Sequence, residues 1–278
     1  MIGVFDSGHG GLTVMRELVR RFPHREFIYL GDHANAPYGD RTGADIVRLT
    51  ADACDTLFTM GCRMVIIACN TATAAAARTL QQDWLPTHWP DHKVLGIIAP
   101  TVEAATQTPW HVQEPVFPQK FNTDTIALFA TNVTVKSGVY GEEIHKRCPR
   151  VQVAAQGCPK LVPLLESGAP RGEIKAAVEE YVAELLGGLD KIPEWAILGC
   201  THYPLVADLF WNALPAQTRL LDQPKVVANA LEDYLERHSG LEGAQGKAKY
   251  FTTGDTEAVN RVATMLVGED LGFLSLTA

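Results

Sequence analysis

VIIACNTATAAAA (Val65–Ala77) and AILGCTHYPLV (Ala196–Val206) follow one plan. In each, an apolar, β-rich run ends at a cysteine, a threonine-containing cap follows, and a helical stretch begins. Val65–Ala68 reads as the end of a strand. Asn70 and Thr71 are good N-cap residues, and the alanines after them are strong helix formers. Ala196–Leu198 likewise ends a strand, Gly199 lets the backbone turn, and Thr201 and His202 precede a helix around Leu205–Leu214. Pro204 suits a first helical turn. Cys69 and Cys200 thus stand where the free N–H groups of a helix favour negative charge, a position that lowers a thiol's pKa. Either cysteine alone reads as a small buried hydrophobe. Two in matching contexts, about one domain length apart, point to two α/β lobes that each contribute one cysteine.

The rest of the chain keeps the same rhythm. Strand-like runs occupy Ile2–Phe5, Phe27–Leu30, Met64–Ala68, Val94–Ile98, Thr125–Ala130, Val151–Ala155 and Ala196–Leu198. Helical patterns lie between or after them, at Leu12–Phe22, Ala44–Met60, Ala72–Trp84, Glu173–Leu186 and Val226–His238. Such alternation predicts mostly parallel sheets covered by helices, the α/β class, with functional residues where strands end and helices begin. Pro109–Asp124 has no clean periodicity and reads as a mobile surface loop. Ser239–Lys249 reads as a second loop.

Composition bounds the function. The 278 residues suffice for one large domain or two modest ones, and 46% hydrophobic with 20% charged residues is ordinary for a soluble globular chain. A net charge of −8 without a basic cluster argues against a nucleic-acid surface. No apolar run approaches the roughly 18–20 residues of a membrane span, and MIGVFDSGHGG does not read as a signal peptide. The six cysteines form no C-x-x-C motif, which fits a reducing cytoplasm. Cys54, Cys62 and Cys148 read as buried hydrophobes. The Cys200-x-His202 spacing is not that of a structural zinc site, and no metal is expected.

Two further junctions stand out. Ile2–Phe5 ends at Asp6, and Ser7-Gly8-His9-Gly10-Gly11 leads into a helix. The dinucleotide fingerprint G-x-G-x-x-G fails because Thr13 takes its last place. The loop can still present N–H groups to a small carboxylate, or it can be a tight turn that merely packs. GDHANAPYG (Gly31–Gly39) holds a Pro37-Tyr38-Gly39 turn after the strand Phe27–Leu30.

Taken in order, DSGHGGLTV, GDHANAPYG, IIACNTAT, TVKSGVY, CPKLVPLLESG, ILGCTHYPL and YFTTGD resemble the glutamate racemase family from Ile2 to about Asp255. The resemblance implies glutamate bound between two pseudo-symmetric lobes, with one cysteine on each side of its α-carbon. One thiolate would remove the α-proton and the opposite thiol would deliver one. The two cysteines match Cys69 and Cys200. Asp6 matches the aspartate that assists the Cys69 side, and Glu166 and His202 the pair that assists the Cys200 side. Glu166 otherwise reads as a solvated residue before a turn. Asp6, Ser7, Tyr38, Gly39, Asn70, Thr71, Thr134, Thr201 and His202 match positions that hold the substrate's amino and carboxylate groups. The family needs no cofactor and makes D-glutamate for the cell wall in the cytoplasm. The resemblance leaves open a homodimer and activation by a cell-wall precursor.

It also predicts residues 1–98 plus 207–278 in the first lobe and 99–206 in the second, with crossings near Ile98–Thr101 and Leu205–Ala207. Three departures are visible: Val133-Thr134 replaces Gly-Thr, Asp222-Gln223-Pro224 replaces Asp-Ser, and the Pro109–Asp124 loop is long. Related racemases acting on aspartate, a hydantoin or an arylmalonate are the nearest alternatives. A cysteine amidohydrolase using Cys200 and His202 would leave Cys69 unexplained. A glutamate sensor would keep the cleft without turnover.

Overall fold

The computed structural model describes residues 1–112, 114–115, 117, 125–238 and 245–276. Most of the 109–124 segment, and the 239–244 part of the second loop, lie outside the described residues. The strands, in chain order, are β1 (Ile2–Asp6), β2 (Phe27–Gly31), β3 (Met64–Ile67), β4 (Lys93–Gly96), β5 (Thr125–Ala130), β6 (Gln152–Gly157), β7 (Trp195–Gly199), β8 (Arg219–Leu221), β9 (Lys249–Thr252) and β10 (Leu274–Ser275). They form a six-stranded sheet of order β10-β9-β2-β1-β3-β4 and a four-stranded sheet of order β6-β5-β7-β8. All of their pairings are parallel. The chain is therefore α/β with two mostly parallel sheets.

Helices on both faces explain the unbroken apolar strands. In IGVFD, FIYLG and MVII every residue is buried, as parallel strands covered on both sides require. Alternate residues serve opposite layers. Phe5, Leu30, Val65 and Ile67 pack under the helices Gly43–Thr59 and Asn70–Thr79. Val4, Tyr29 and Met64 face Leu12–Arg21, Gln223–Arg237 and Thr256–Val267. In the smaller sheet Ala127, Phe129 and Leu198 meet the helix Arg171–Gly187. Ile126, Leu128 and Ile197 meet Ile98–Thr106 and Val139–Arg147.

Several expected boundaries move. The run expected as one helix over Ala72–Trp84 is a helix over Asn70–Thr79 and then a wide π-type turn over Leu80–Trp84. Pro86 follows, and its ring cannot accept a regular preceding turn. Ile98, expected to end a strand, opens the helix Ile98–Thr106. β8 pairs with β7 through Trp195–Arg219 and Ile197–Leu221. The chain thus stays on the second sheet through Leu221 and returns at Asp222–Gln223, later than the crossing expected near Leu205–Ala207. We accordingly propose lobes of 1–97 plus 222–278 and 98–221.

The site is placed by strand ends. Asp6 ends β1, Cys69 follows β3, Thr131 follows β5 and Cys200 follows β7. Both sheets thus deliver their carboxyl ends to one cleft.

Candidate active site

Cys69 is itself the N-cap of the helix Asn70–Thr79, so the cap precedes the expected Asn70 and Thr71. Its sulfur accepts from the Ala72 N–H at 3.4 Å, the place a serine hydroxyl takes in ordinary caps. The Ser7 hydroxyl lies 3.3 Å from the same sulfur. Even so, burial pushes the thiol up to about 12, and the nearby Asp6 carboxylate adds to the rise while Ser7 and the Ala72 amide oppose it. The expected lowering is overturned for Cys69: desolvation outweighs the helix terminus.

Asp6 sits behind the loop. One carboxylate oxygen accepts from the Gly8 amide at 2.8 Å and the other from Thr201 Oγ1 at 3.1 Å. Burial raises its pKa, against the pull of His202 and of the hydrogen bonds from Gly8, Thr201 and Gly11. The glycines allow this closeness. A Cβ on Gly10 would lie 2.4 Å from both His202 Nδ1 and Thr201 Oγ1, and one on Gly11 2.5 Å from the Asp6 Cβ. Thr13 also donates to the Thr201 carbonyl at 2.8 Å. Asp6 and Thr13, on either side of the Ser7–Gly11 loop, therefore both hold Thr201.

Cys200 is held differently. Thr201 and His202 form a turn, a 3-10 segment spans Tyr203–Val206, and a helix begins only at Ala207. The helix expected around Leu205–Leu214 is thus present from Ala207, and Cys200 is not its cap. A histidine faces the sulfur instead, with His202 Nδ1 at 3.9 Å, while its Nε2 lies 2.9 Å from Glu166 Oε1. Burial disfavours charge on this ring, but Cys200 and Glu166 outweigh it and hold the pKa up to about 10. Glu166 is likewise opposed by burial, yet hydrogen bonds to His202 and His9 keep it well below the usual carboxylate range. His202 therefore carries positive charge at neutral pH beside the Cys200 sulfur.

Polar side chains complete the walls. Thr71 Oγ1 lies 2.9 Å from Thr131 Oγ1 and 3.2 Å from Thr134 Oγ1. Tyr38 donates to Asp32 at 2.7 Å. Asn70 is clamped from behind: its Nδ2 donates to Gln223 Oε1 at 2.8 Å, and its Oδ1 accepts from the Tyr140 hydroxyl at 2.7 Å and from Gln223 Nε2 at 3.1 Å. Gln223 Nε2 also lies 2.9 Å from Thr101 Oγ1 and 3.0 Å from the Tyr140 hydroxyl. The departure at Asp222-Gln223-Pro224 thus places a fully buried amide between helices of the two lobes.

These elements enclose a cavity of about 430 Å³. Cys69 and Cys200, from different sheets, both line it. So do Ser7, Tyr38, Gly39, Asn70, Thr71, Glu166, Thr201 and His202. Asp6 supports the wall from behind. Thr134, expected to hold substrate, is buried behind Thr71 and Thr131, and Thr131 takes the lining place. Gly8, from the loop read as a possible carboxylate cradle, also lines the cavity, as do Asn132 and Cys158, which the motifs did not single out as site residues. Cys158 and Asn132 each follow a strand end of the second sheet, which is the signal that could have found them. Among the described residues no group of three or more His, Cys, Asp or Glu could hold a metal ion, and no helix is long and apolar enough to cross a membrane.

Residues 2–231 match the Asp/Glu/Hydantoin racemase family. The chain is 47% identical over 278 residues to the glutamate racemase of Phenylobacterium zucineum (strain HLK1), covering 98% of each. It is similar in structure to a glutamate racemase isoform from Bacillus anthracis, with a TM-score of 0.84 and 26% identity, covering 100% of this chain and 97% of that one. The glutamate racemase of Francisella tularensis subsp. tularensis SCHU S4, solved in complex with D-glutamate, matches with a TM-score of 0.81 and 26% identity, again covering 100% and 97%.

Proposed function

The chain belongs to the Asp/Glu/Hydantoin racemase family, and from that premise we propose that it interconverts L- and D-glutamate with Cys69 and Cys200 as the two acid–base groups. The observation that carries this reading is the convergence of two thiols, from the ends of two different sheets, on one cavity of about 430 Å³. Inversion needs a base on one face of the α-carbon and an acid on the other. Two lobes with facing strand ends can supply both.

The α-C–H of an amino acid is a very weak acid, so the negative charge that develops needs fixed donors and dry surroundings. The N-terminus of the helix Asn70–Thr79 and the hydroxyls of Ser7, Thr71, Thr131 and Thr201 suit the substrate's carboxylates. Glutamate filling the cleft would displace water around the thiols. On the Cys200 side, the His202 imidazolium stabilises negative charge on sulfur and Glu166 holds that ring. On the Cys69 side, Ser7 and the Ala72 amide serve the sulfur, and Asp6 acts through its charge and through Thr201. The thiols and backbone dipoles do this work without pyridoxal phosphate or a metal. Supply of D-glutamate for peptidoglycan in the cytoplasm, a homodimer and activation by a cell-wall precursor belong to the same proposal.

The test is racemisation in heavy water with no added cofactor. The accepting thiolate takes protium and the far thiol, already exchanged, delivers deuterium. Early product should carry α-deuterium while recovered substrate carries almost none, from either enantiomer. Early product rich in protium would mean that a single base returns the same proton. An amidohydrolase would instead release ammonia from an amide substrate. A sensor would be stabilised thermally by glutamate without turning it over.

A further inference from the structure

Glu166 Oε1 is shared by two histidines. His202 Nε2 lies 2.9 Å from it and His9 Nδ1 3.2 Å. The other ring nitrogen of His9, Nε2, lies 3.3 Å from the carbonyl oxygen of Val259 on the helix Thr256–Val267. Each ring nitrogen of His9 thus faces an oxygen, one of a carboxylate and one of a carbonyl, so the ring bridges Glu166 to Val259.

The surroundings hold the ring in place. His9 is buried in the loop between β1 and the helix Leu12–Arg21. Its ring meets His33 edge-on, with centroids 4.2 Å apart. Burial first, and then the charge of His9, hold His33 down to about 3, so this neighbour is neutral. The titratable groups facing His9 are thus Glu166 from the helix Leu161–Glu166, His33 from the turn after β2, and His202 through the shared oxygen. Asp6 lies at the base of the same loop, with its oxygens taken by Gly8 and Thr201.

We propose that His9 is a positioning residue for the Cys200 side: pinned to Val259, it clamps Glu166 in the orientation that receives His202, and so fixes the imidazolium facing the Cys200 sulfur. The inference rests on the two-thiol reading for its kinetic part. It also ties the C-terminal helix to the site, since the Val259 carbonyl is the anchor. Without His9, Glu166 would keep one partner and its side chain could rotate into the cavity. His202 would then lose a fixed counter-charge just where Cys200 exchanges its proton.

The tests separate the clamp from the reaction. In protein labelled with ¹⁵N-histidine, the ring nitrogens of His9 should shift when Glu166→Gln alters the partner of Nδ1. His9 nitrogen resonances that ignore Glu166→Gln would overturn the proposal whether or not glutamate is turned over. For kinetics, His9→Leu should lower kcat by about ten- to a hundredfold, below the roughly 10²–10⁴ expected for losing a proton-transfer group itself. The KM for glutamate should change little. His9→Asn, which keeps a donor near Nδ1, should recover most of the rate. With α-deuterated substrates, His9→Leu should raise the isotope effect only for the enantiomer whose proton Cys200 removes. Equal changes for both enantiomers, or an unchanged kcat, would refute the clamp. A wild-type protein that fails to racemise glutamate would sink the proposed function and leave the nitrogen resonances to decide His9.

Discussion

The hydroxyl of Thr201 donates to Oδ2 of Asp6 at 3.1 Å, joining the residue after Cys200 to the last residue of β1. The Thr201 carbonyl accepts from Thr13 at 2.8 Å. One threonine of the second lobe is thus held at two atoms by the first. Both contacts pass beside Gly10, where no Cβ fits. The wall carrying Cys200 is referenced to the wall carrying Ser7, and small displacements at this point change the spacing of the cleft.

Thr201→Val is expected to destabilise the protein by about 1–3 kcal/mol, because a buried carboxylate loses one donor while its desolvation cost remains. Thr201→Ser should retain most of the stability. Urea unfolding of the three proteins checks this, and equal midpoints for Val and Thr would show that the bond contributes nothing.

Cys69→Ser and Cys200→Ser should each leave a folded protein and suppress racemisation by about 10³-fold or more, since a serine hydroxyl is a far poorer base at neutral pH. Polarimetry or circular dichroism of L-glutamate follows the rate. A mutant that keeps near-native turnover would remove its cysteine from the mechanism.

Gln223→Leu should raise the KM for glutamate and lower stability by about 2 kcal/mol or more. Asn70, Tyr140 and Thr101 would all face a partner that can no longer hydrogen-bond. In a double-mutant cycle with Tyr140→Phe, the coupling should lie within about 0.5–3 kcal/mol. Additive losses would mean that the amide packs without organising Asn70.

Acid should weaken the fold partly through His33. Burial lowers its folded pKa to about 3 from the ordinary 6.5, so the unfolded chain binds more protons between those values. Stability then falls as pH drops through that window, by about 2 kcal/mol from this group by pH 5. His202 has the opposite sign. Its folded pKa of about 10 stabilises most fully below its ordinary 6.5, and that contribution fades as pH rises through about 10. Thermal midpoints across pH should show a smaller acid loss in His33→Asn and a smaller alkaline loss in His202→Asn.

The junctions were legible because they are local. Four apolar residues, a cysteine and a run of alanines fix a strand end and a helix start within a dozen positions. Less legible was what each cysteine meets: an apolar run ending at a cysteine gives Cys69 a helix cap and Cys200 a turn with a histidine. Thr131 and Thr134 lie one helical turn apart on the same threonine-rich start, and only the fold decides which faces the cavity. Gln223 reads as a departure from the family, since its partners Asn70, Thr101 and Tyr140 are scattered along the chain. His9 is similar, sitting in a loop whose glycines draw attention away from it. β8 and β10, of three and two residues, are too short to show a period, and β9 starts at Lys249, which reads as the end of a loop.

The order of the larger sheet has a consequence for synthesis. β2 is flanked by β1 and by β9, yet β9 begins at Lys249. A ribosome making this chain releases β1 to β4 early and then builds the whole second sheet before the partner of β2 emerges. For most of translation the outer row of β2 amides and carbonyls stays open, on a strand that is entirely buried in the finished protein. An exposed apolar edge of this kind is a site for pairing with other chains. Chains stalled or truncated between Leu221 and Lys249 should therefore hold a complete second sheet and an unfinished first one, and should depend most on chaperones at that stage.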